Sequence, residues 1–386
     1  MADVLQHMIT RRVLVVAGAG ASRELGDGQP MPLMSDWCDD LTDALDVLEP
    51  GTSRVLGLTT GLPGDVFEQR IGALLRLQAE LPLFEGLRRL GMTSLIANEE
   101  AYPLQWAGIA KRRLDAITET VHENLYRNFG YSHYNDGLAE QAYSRLKSML
   151  TAAGSDIGLA FATTNYDQCI EAAFAAPQWK ILDGFRRSPL ETPILNATGI
   201  AEEWLQATDR IPILHLHGAV GWYRGDDQRI RWYPPDRGYI PALGRPALLL
   251  PDPEKTTTSL PGAETLWDEF RKLLAESTHV LFVGHSLNDD HLVEVVAQAG
   301  RPTAVLVYSR SLAKVGGPDA EQDDDGTEES ATGFVDRVLP GARVIPGIFG
   351  PQPEFPEAEL HGWLGEGDED ARSRMSAEEL AIRRRA

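Results

Sequence analysis

The sequence predicts an α/β protein with a doubly wound, mostly parallel sheet and a helical insertion, and three observations carry that prediction. Continuous apolar runs recur at Val13 to Ala17, Ile157 to Ala162, Ile211 to Leu216, Ala247 to Leu250, Val280 to Gly284 and Thr303 to Tyr308. Runs that do not alternate imply strands buried on both faces, the mark of a parallel sheet covered by crossover helices. Helical stretches at Asp167 to Ala176, Glu264 to Glu276 and Asp289 to Gln298 separate some of these strands, giving the alternation of a doubly wound fold. Four of the runs also end in short glycine or polar loops, which belong at the carboxyl edge of such a sheet.

The opening unit reads as strand, loop and helix. Val13 to Ala17 runs into Gly18-Ala-Gly20-Ala-Ser22, and Trp37, Leu41, Leu45 and Leu48 then share one helical face. Arg11-Arg12 ahead of this run mimics a short signal peptide, but the run is brief and glycine-interrupted, so a first strand is the better reading. From 61 to 150 no convincing strand appears. Val66-Phe67, Ile71, Leu74-Leu75 and later Leu114, Ile117, Val121 and Leu125 recur at intervals of three and four, which predicts the helical insertion. Residues 1–60 and 151–350 are left to form the sheet domain. Pro318 to Ser330 holds seven acidic residues and almost nothing apolar, the composition of a solvated loop. The tail, 351–386, turns to Pro, Glu and Gly before Ser376-Ala-Glu-Glu379 offers a capping box for a short last helix.

Composition narrows the function classes. Among 386 residues, 57 are acidic and 36 basic, for a formal charge of -21, a surface that repels phosphodiester backbones and anionic headgroups. Direct nucleic-acid binding is not expected. No window reaches the eighteen or so apolar residues of a membrane span. Cys38 and Cys169 are the only cysteines, too few for a disulfide framework or a four-cysteine zinc module, so a cytoplasmic location is expected.

Several residues at the strand ends can carry chemistry. Gly18-Ala19-Gly20 and Ser22 suit a phosphate loop, because glycine admits close backbone approach; a plain tight turn is the alternative. Thr164 and Asn165, in Thr163-Thr-Asn165-Tyr-Asp167, leave a buried strand and open a helix, where either caps the helix or meets a ligand. An amide such as that of Asn165 orients a sugar hydroxyl or a water without charge, with Asp167 in support. His215 and His217 are expected on one strand face, which also fits a metal pair or a satisfied core histidine. His217, followed by Gly218 and Trp222, is better placed than His215 to act as a base near neutral pH. Val283-Gly284-His-Ser286-Leu-Asn288-Asp289 repeats the grammar of the first loop, with Gly284, Ser286 and Asp289 as further cofactor-binding candidates.

Together GAGAS, TTNYD, LHG and GHSLND, with PDPEK at 251 to 255 and Trp267 before a later strand, resemble the sirtuin-like domain of bacterial NAD-consuming proteins over roughly residues 12 to 310. The resemblance implies a Rossmann-type NAD-binding domain, with the family's asparagine and histidine falling on Asn165 and His217. Protein-deacylating sirtuins usually carry four zinc-binding cysteines that this chain lacks, which makes deacylation the lesser branch. The other branch, implied here, cleaves the nicotinamide–ribose bond of NAD, acts in antiphage defence by NAD depletion, and uses NAD as substrate without a metal. It further implies a homo-oligomer or a separate ATPase or trigger subunit. A metal hydrolase built on His215, His217 and Asp289-Asp290-His291, and a non-enzymatic NAD or ADP-ribose sensor, are the competing readings.

Overall fold

The computed structural model describes residues 11–27, 29–62, 66–67, 69–74, 104–130, 134–152, 157–188, 191–207, 209–234, 238–249, 260, 262–307, 331–346, 349 and 357–366. The PDPEK stretch, the acidic segment 318–330, residues 75–103 of the expected insertion and the Ser376 capping box lie outside the described residues.

Twelve strands are described. In chain order they are β1 Arg11–Ala17, β2 Ile157–Thr163, β3 Lys180–Leu182, β4 Phe185–Ser188, β5 Glu191–Leu195 and β6 Arg210–His215. The second half holds β7 Gly218–Arg224, β8 Ile230–Trp232, β9 Arg245–Leu248, β10 His279–Val283, β11 Thr303–Val307 and β12 Arg343–Pro346. Seven of them form one sheet in the order β12-β11-β10-β1-β2-β6-β3, and every pairing in it is parallel. The expected α/β, doubly wound class is what the chain adopts. From β1 the chain moves to β2 and on to the edge strand β3, comes back to place β6 between those two, and then crosses to the other side of β1 for β10, β11 and β12. The order reverses between β1 and β10, and the crevice outside the carboxyl ends of strands at such a switch point is where open α/β sheets bind ligands.

Alternate side chains of the continuous runs feed two cores. Leu14, Val16, Ala160, Ala162, Leu214, Val280 and Phe282 face one side, where the helices Ala263–Glu276 and Asp290–Ala299 bring Leu266, Phe270, Leu273, Leu292 and Val296. Val13, Val15, Leu159, Phe161, Ile213, Leu281 and Val283 face the other, against Tyr143, Leu146 and Leu150 of the helix Asp136–Ala152 and Leu360, Trp363 and Leu364 of the helix Glu357–Glu366. Each such aliphatic or aromatic side chain, fully buried, contributes about 1.5–3 kcal/mol, so a sheet covered on both faces is the stable use of these runs.

One expected strand lies elsewhere. The apolar run from Ala247 belongs to β9, which pairs antiparallel with β7 in a separate five-stranded sheet, β4-β5-β8-β7-β9. A short apolar run reports burial and not direction, and here both Ala247 and Leu249 are buried against the first core. β3, β4, β5, β7, β8 and β12 lie outside the runs from which the sequence predicts strands.

A third core belongs to the helices Met34–Leu48 and Leu104–Phe129. Trp37 meets Phe67 edge-on at 4.9 Å and Phe129 at 5.8 Å. Leu41, Leu45, Ile71, Leu114, Val121 and Leu125 complete it, and Tyr166, Val220 and Tyr223 join it to the antiparallel sheet. The helix Met34–Leu48 is opened by Asp36, whose carboxylate accepts the Leu33 amide at 2.9 Å. The helices of the expected insertion divide between cores: Leu104–Phe129 packs in this one and Asp136–Ala152 on the parallel sheet.

Candidate active site

Parallel register brings the four anticipated loops to one edge. Ala17, the last residue of β1, stands beside Val283 of β10 on one side and Thr163 of β2 on the other, and Thr163 stands beside His215 of β6. The loops at 284–289, 18–22, 164–168 and 216–217 therefore lie in that spatial order along the carboxyl edge.

Across the switch point the two glycine loops bind each other. Gly18 donates its amide to Val283 O and Gly20 to Gly284 O, both at 2.9 Å. A Cβ on Gly18 would lie 2.6 Å from His285 Cα, and one on Gly284 only 2.1 Å from Ala21 N, with Gly284 already at φ +57°. The need for glycine at 18, 20 and 284 thus comes first from loop against loop. Ala19 and Ser286 are exposed at this edge and Gly20 is half-buried, whereas Ser22 is buried. The helix Ala19–Ser22 is a single turn, so its end charge is small.

Asn165 is fixed from both sides. Its Nδ2 donates to Gly18 O at 2.9 Å and to Ser22 Oγ at 3.1 Å, and its own amide donates to Thr163 Oγ1 at 3.0 Å. Thr163 Oγ1 in turn donates to Ala17 O at 2.9 Å, while Thr164, half-buried, sends its amide toward the same carbonyl. Both donors of the Asn165 side chain are used, so the polar atom it has left is an acceptor, Oδ1.

The carboxylates divide the work differently from the expectation. Asp167 is buried and accepts the Cys169 amide at 3.1 Å, opening the helix Cys169–Ala173. Burial pushes the pKa of the Cys169 thiol well up, and the nearby charge of Asp167 raises it further. Asp289 is the carboxylate beside His217: its Oδ2 stands 3.0 Å from His217 Nε2, and its Oδ1 accepts the Leu292 amide to cap the helix Asp290–Ala299. His217 and Asp289 are both buried.

His215 and His217 do not share a face. β6 ends at His215 and His217 falls in the turn that follows. His215 is 1% exposed and engages both ring nitrogens, Nδ1 with Asn165 O at 3.1 Å and Nε2 with Glu171 Oε1 at 2.6 Å. Burial opposes charge on this imidazole, but Glu171 and the Asn165 carbonyl outweigh it, and the pKa is raised. The two rings therefore serve different carboxylates, and Asp290 and His291 are exposed, the His291 ring lying tilted against Trp267 at 4.5 Å. Glu171 escaped the sequence reading because an acidic residue in a short helix carries no signal of its own. Asp289 was recognised, but not as the partner of His217.

The exit from the site is held by the antiparallel sheet. Gly218 has φ +76°, and a Cβ there would stand 2.1 Å from Ala247 O. Leu249 donates its amide to His217 O at 2.7 Å, and Tyr166 Oη donates to Leu249 O at 2.9 Å. A cleft of about 650 Å³ lies away from these loops, along β4 and β5, but its Arg187 is paired with Asp183 and its Arg229 lies 3.9 Å from Asp227.

With this geometry in view, comparison with known proteins gives one family match: residues 159–324 match the model of the SIR2-like domain. That segment includes the Asn165, His217 and Gly284 loops, and the match supports a sirtuin-like chain. No curated protein matches. Similar solved structures include one from work on the mechanism and regulation of Sir2 enzymes, at 14% identity and TM-score 0.36, covering 95% of this chain and 96% of that one. A Sir2 homologue in complex with NAD gives 13% and 0.39, with 96% and 94% covered. A Sir2 homologue mutant bound to 2'-O-acetyl ADP ribose gives 15% and 0.36, with 88% and 95% covered. Among the described residues, no helix is long and apolar enough to cross a membrane.

Proposed function

We propose that this chain is an NAD glycohydrolase that cleaves the bond between nicotinamide and ribose. The observation that carries the reading is the meeting, at the switch point of a doubly wound sheet, of a clamped asparagine and a histidine–aspartate pair beside two interlocked glycine loops. The SIR2-like match over 159–324 adds to it.

The chemistry asked of such a site is modest. Breaking the C1'–N1 bond lets nicotinamide leave as a neutral molecule with the bonding pair and builds positive charge on the ribose, which water then captures at C1'. Asn165 Oδ1, an acceptor held rigid by Gly18 and Ser22, orients a ribose hydroxyl or the attacking water; preorganisation of this kind removes an entropic part of the barrier. His217 takes the proton released as water adds, and Asp289 steadies its ring and the imidazolium that forms. Asp167 supports Asn165 by fixing the helix turn that follows it, through the Cys169 amide. Gly18, Ala19, Gly20, Thr164, Gly284 and Ser286 are the residues assigned to the pyrophosphate and riboses. Products are nicotinamide, ADP-ribose and one proton.

The test is to incubate purified protein with NAD and follow nicotinamide and ADP-ribose by chromatography. Asn165→Ala and His217→Ala are expected to lower release by about 10²–10⁴-fold while their near-UV dichroism stays that of the parent. Full activity in either variant sinks the assignment, and saturable NAD binding without turnover favours a sensor. Antiphage defence through NAD depletion, self-assembly and a separate ATPase or trigger subunit extend the proposal and rest on the family resemblance alone.

A further inference from the structure

His215 lies beneath the site and reaches it through the main-chain carbonyl of Asn165, and its two hydrogen bonds determine its protonation. The Asn165 carbonyl cannot donate, so Nδ1 carries a hydrogen. Nε2 faces a carboxylate oxygen of Glu171 at 2.6 Å, the short separation of a charge-assisted bond. The other carboxylate oxygen, Oε2, is buried and has no hydrogen-bond partner among the described residues, so the imidazole is what balances Glu171. With Glu171 ionised, a neutral imidazole satisfies only one of the two acceptors, whereas the imidazolium satisfies both.

From this geometry we propose that Glu171 and His215 hold one buried proton as a charged clamp on the main-chain carbonyl of Asn165, making His215 the positioning residue for the Asn165 amide. The clamp deepens the glycohydrolase reading and rests on it for its catalytic consequence, but the protonation and its effect on Asn165 stand independently. The titratable neighbours fit a cationic ring, and Tyr134 and Tyr143, whose phenols burial pushes well up, add no charge near neutral pH. Glu171 approaches from the helix Cys169–Ala173 and Asp167 from the loop after β2. The uncharged ring of Trp222 on β7 lies 5.8 Å away. Asp183, after β3, acts on Glu171 and is itself bound to Arg187. Cys169, which burial pushes up, adds no charge near neutral pH. Because the carbonyl of Asn165 and its side chain leave the same backbone, loss of the proton at high pH frees the loop that Gly18 and Ser22 hold at its other end.

The Asn–Tyr pair occurs once in the chain, so carbonyl-13C asparagine with 15N tyrosine isolates the Asn165–Tyr166 peptide in the full-length protein. Its resonance and the His215 ring nitrogens are followed from about pH 6 to about pH 10. The expected result is a common midpoint for peptide and ring, which moves down by at least about one pH unit in Glu171→Gln. In the same variant kcat for nicotinamide release at alkaline pH falls by at least about tenfold with KM changed much less, and His215→Gln reproduces the loss. A neutral His215 ring at pH 7, or an Asn165 carbonyl signal that stays flat while the ring titrates, overturns the clamp. If the parent protein releases no nicotinamide under any condition, the glycohydrolase reading fails while the resonance experiment still decides the clamp. If Glu171→Gln does not fold, the parent titration and His215→Gln decide it.

Discussion

Gly284 occupies a left-handed conformation with the backbone of Gly20 and Ala21 pressed against it. An alanine there has both an unfavourable φ and no room for its methyl group. Gly284→Ala is therefore expected to cost at least about 2 kcal/mol of stability, read as a lower urea midpoint with an unchanged slope. At Asp289 two duties meet, capping the helix Asp290–Ala299 and facing His217. Asp289→Asn keeps an oxygen for the cap but removes the charge beside the imidazole. Its expected signature is a fall in kcat of about 10²-fold or more with a much smaller loss of stability, checked by pairing steady-state kinetics with thermal melts. The places of Asn165 and His217 at the edge of the sheet were legible in the sequence because each follows an apolar run, and the chain leaves a buried strand only at an edge. Their partners were not, since the pairing of His217 with Asp289 and of His215 with Glu171 depends on which loops the sheet order makes neighbours.

Strands β1, β2, β6, β10 and β11 could be read because burial on both faces removes the polar alternation that a half-exposed strand would show. The antiparallel sheet could not be read so easily. β7, with the sequence GAVGWYR, carries two glycines, β4 and β8 are short and charged, and β9 resembles a parallel strand while running against β7. β12 is four residues long and ends in proline, below the length at which a run stands out. The joint between the sheets is Gly218, where β6 has just ended and β7 begins against Ala247. Gly218→Ala forces β9 away from the turn that carries His217. The expected cost is about 2–4 kcal/mol, together with loss of nicotinamide release, and a variant equal to the parent in both melting and activity contradicts this account of the joint.

The raised pKa of buried His215 gives the whole molecule a pH dependence. A folded value above the unfolded one of about 6.5 means that this contribution to stability is complete below that pH and is lost as pH rises through the folded value. Urea midpoints are therefore expected to fall from pH 6 toward alkaline pH, and the fall is expected to be shallower in Glu171→Gln. A formal charge of -21 acts over the same surface. Added salt screens that self-repulsion and is expected to raise the melting temperature at neutral pH. The bonds from Gly18 to Val283 and from Gly20 to Gly284 have a mechanical consequence at this scale. They rivet the first strand unit to the last across the seam where the chain reverses direction, so the two halves of the sheet cannot part there like the jaws of a clam.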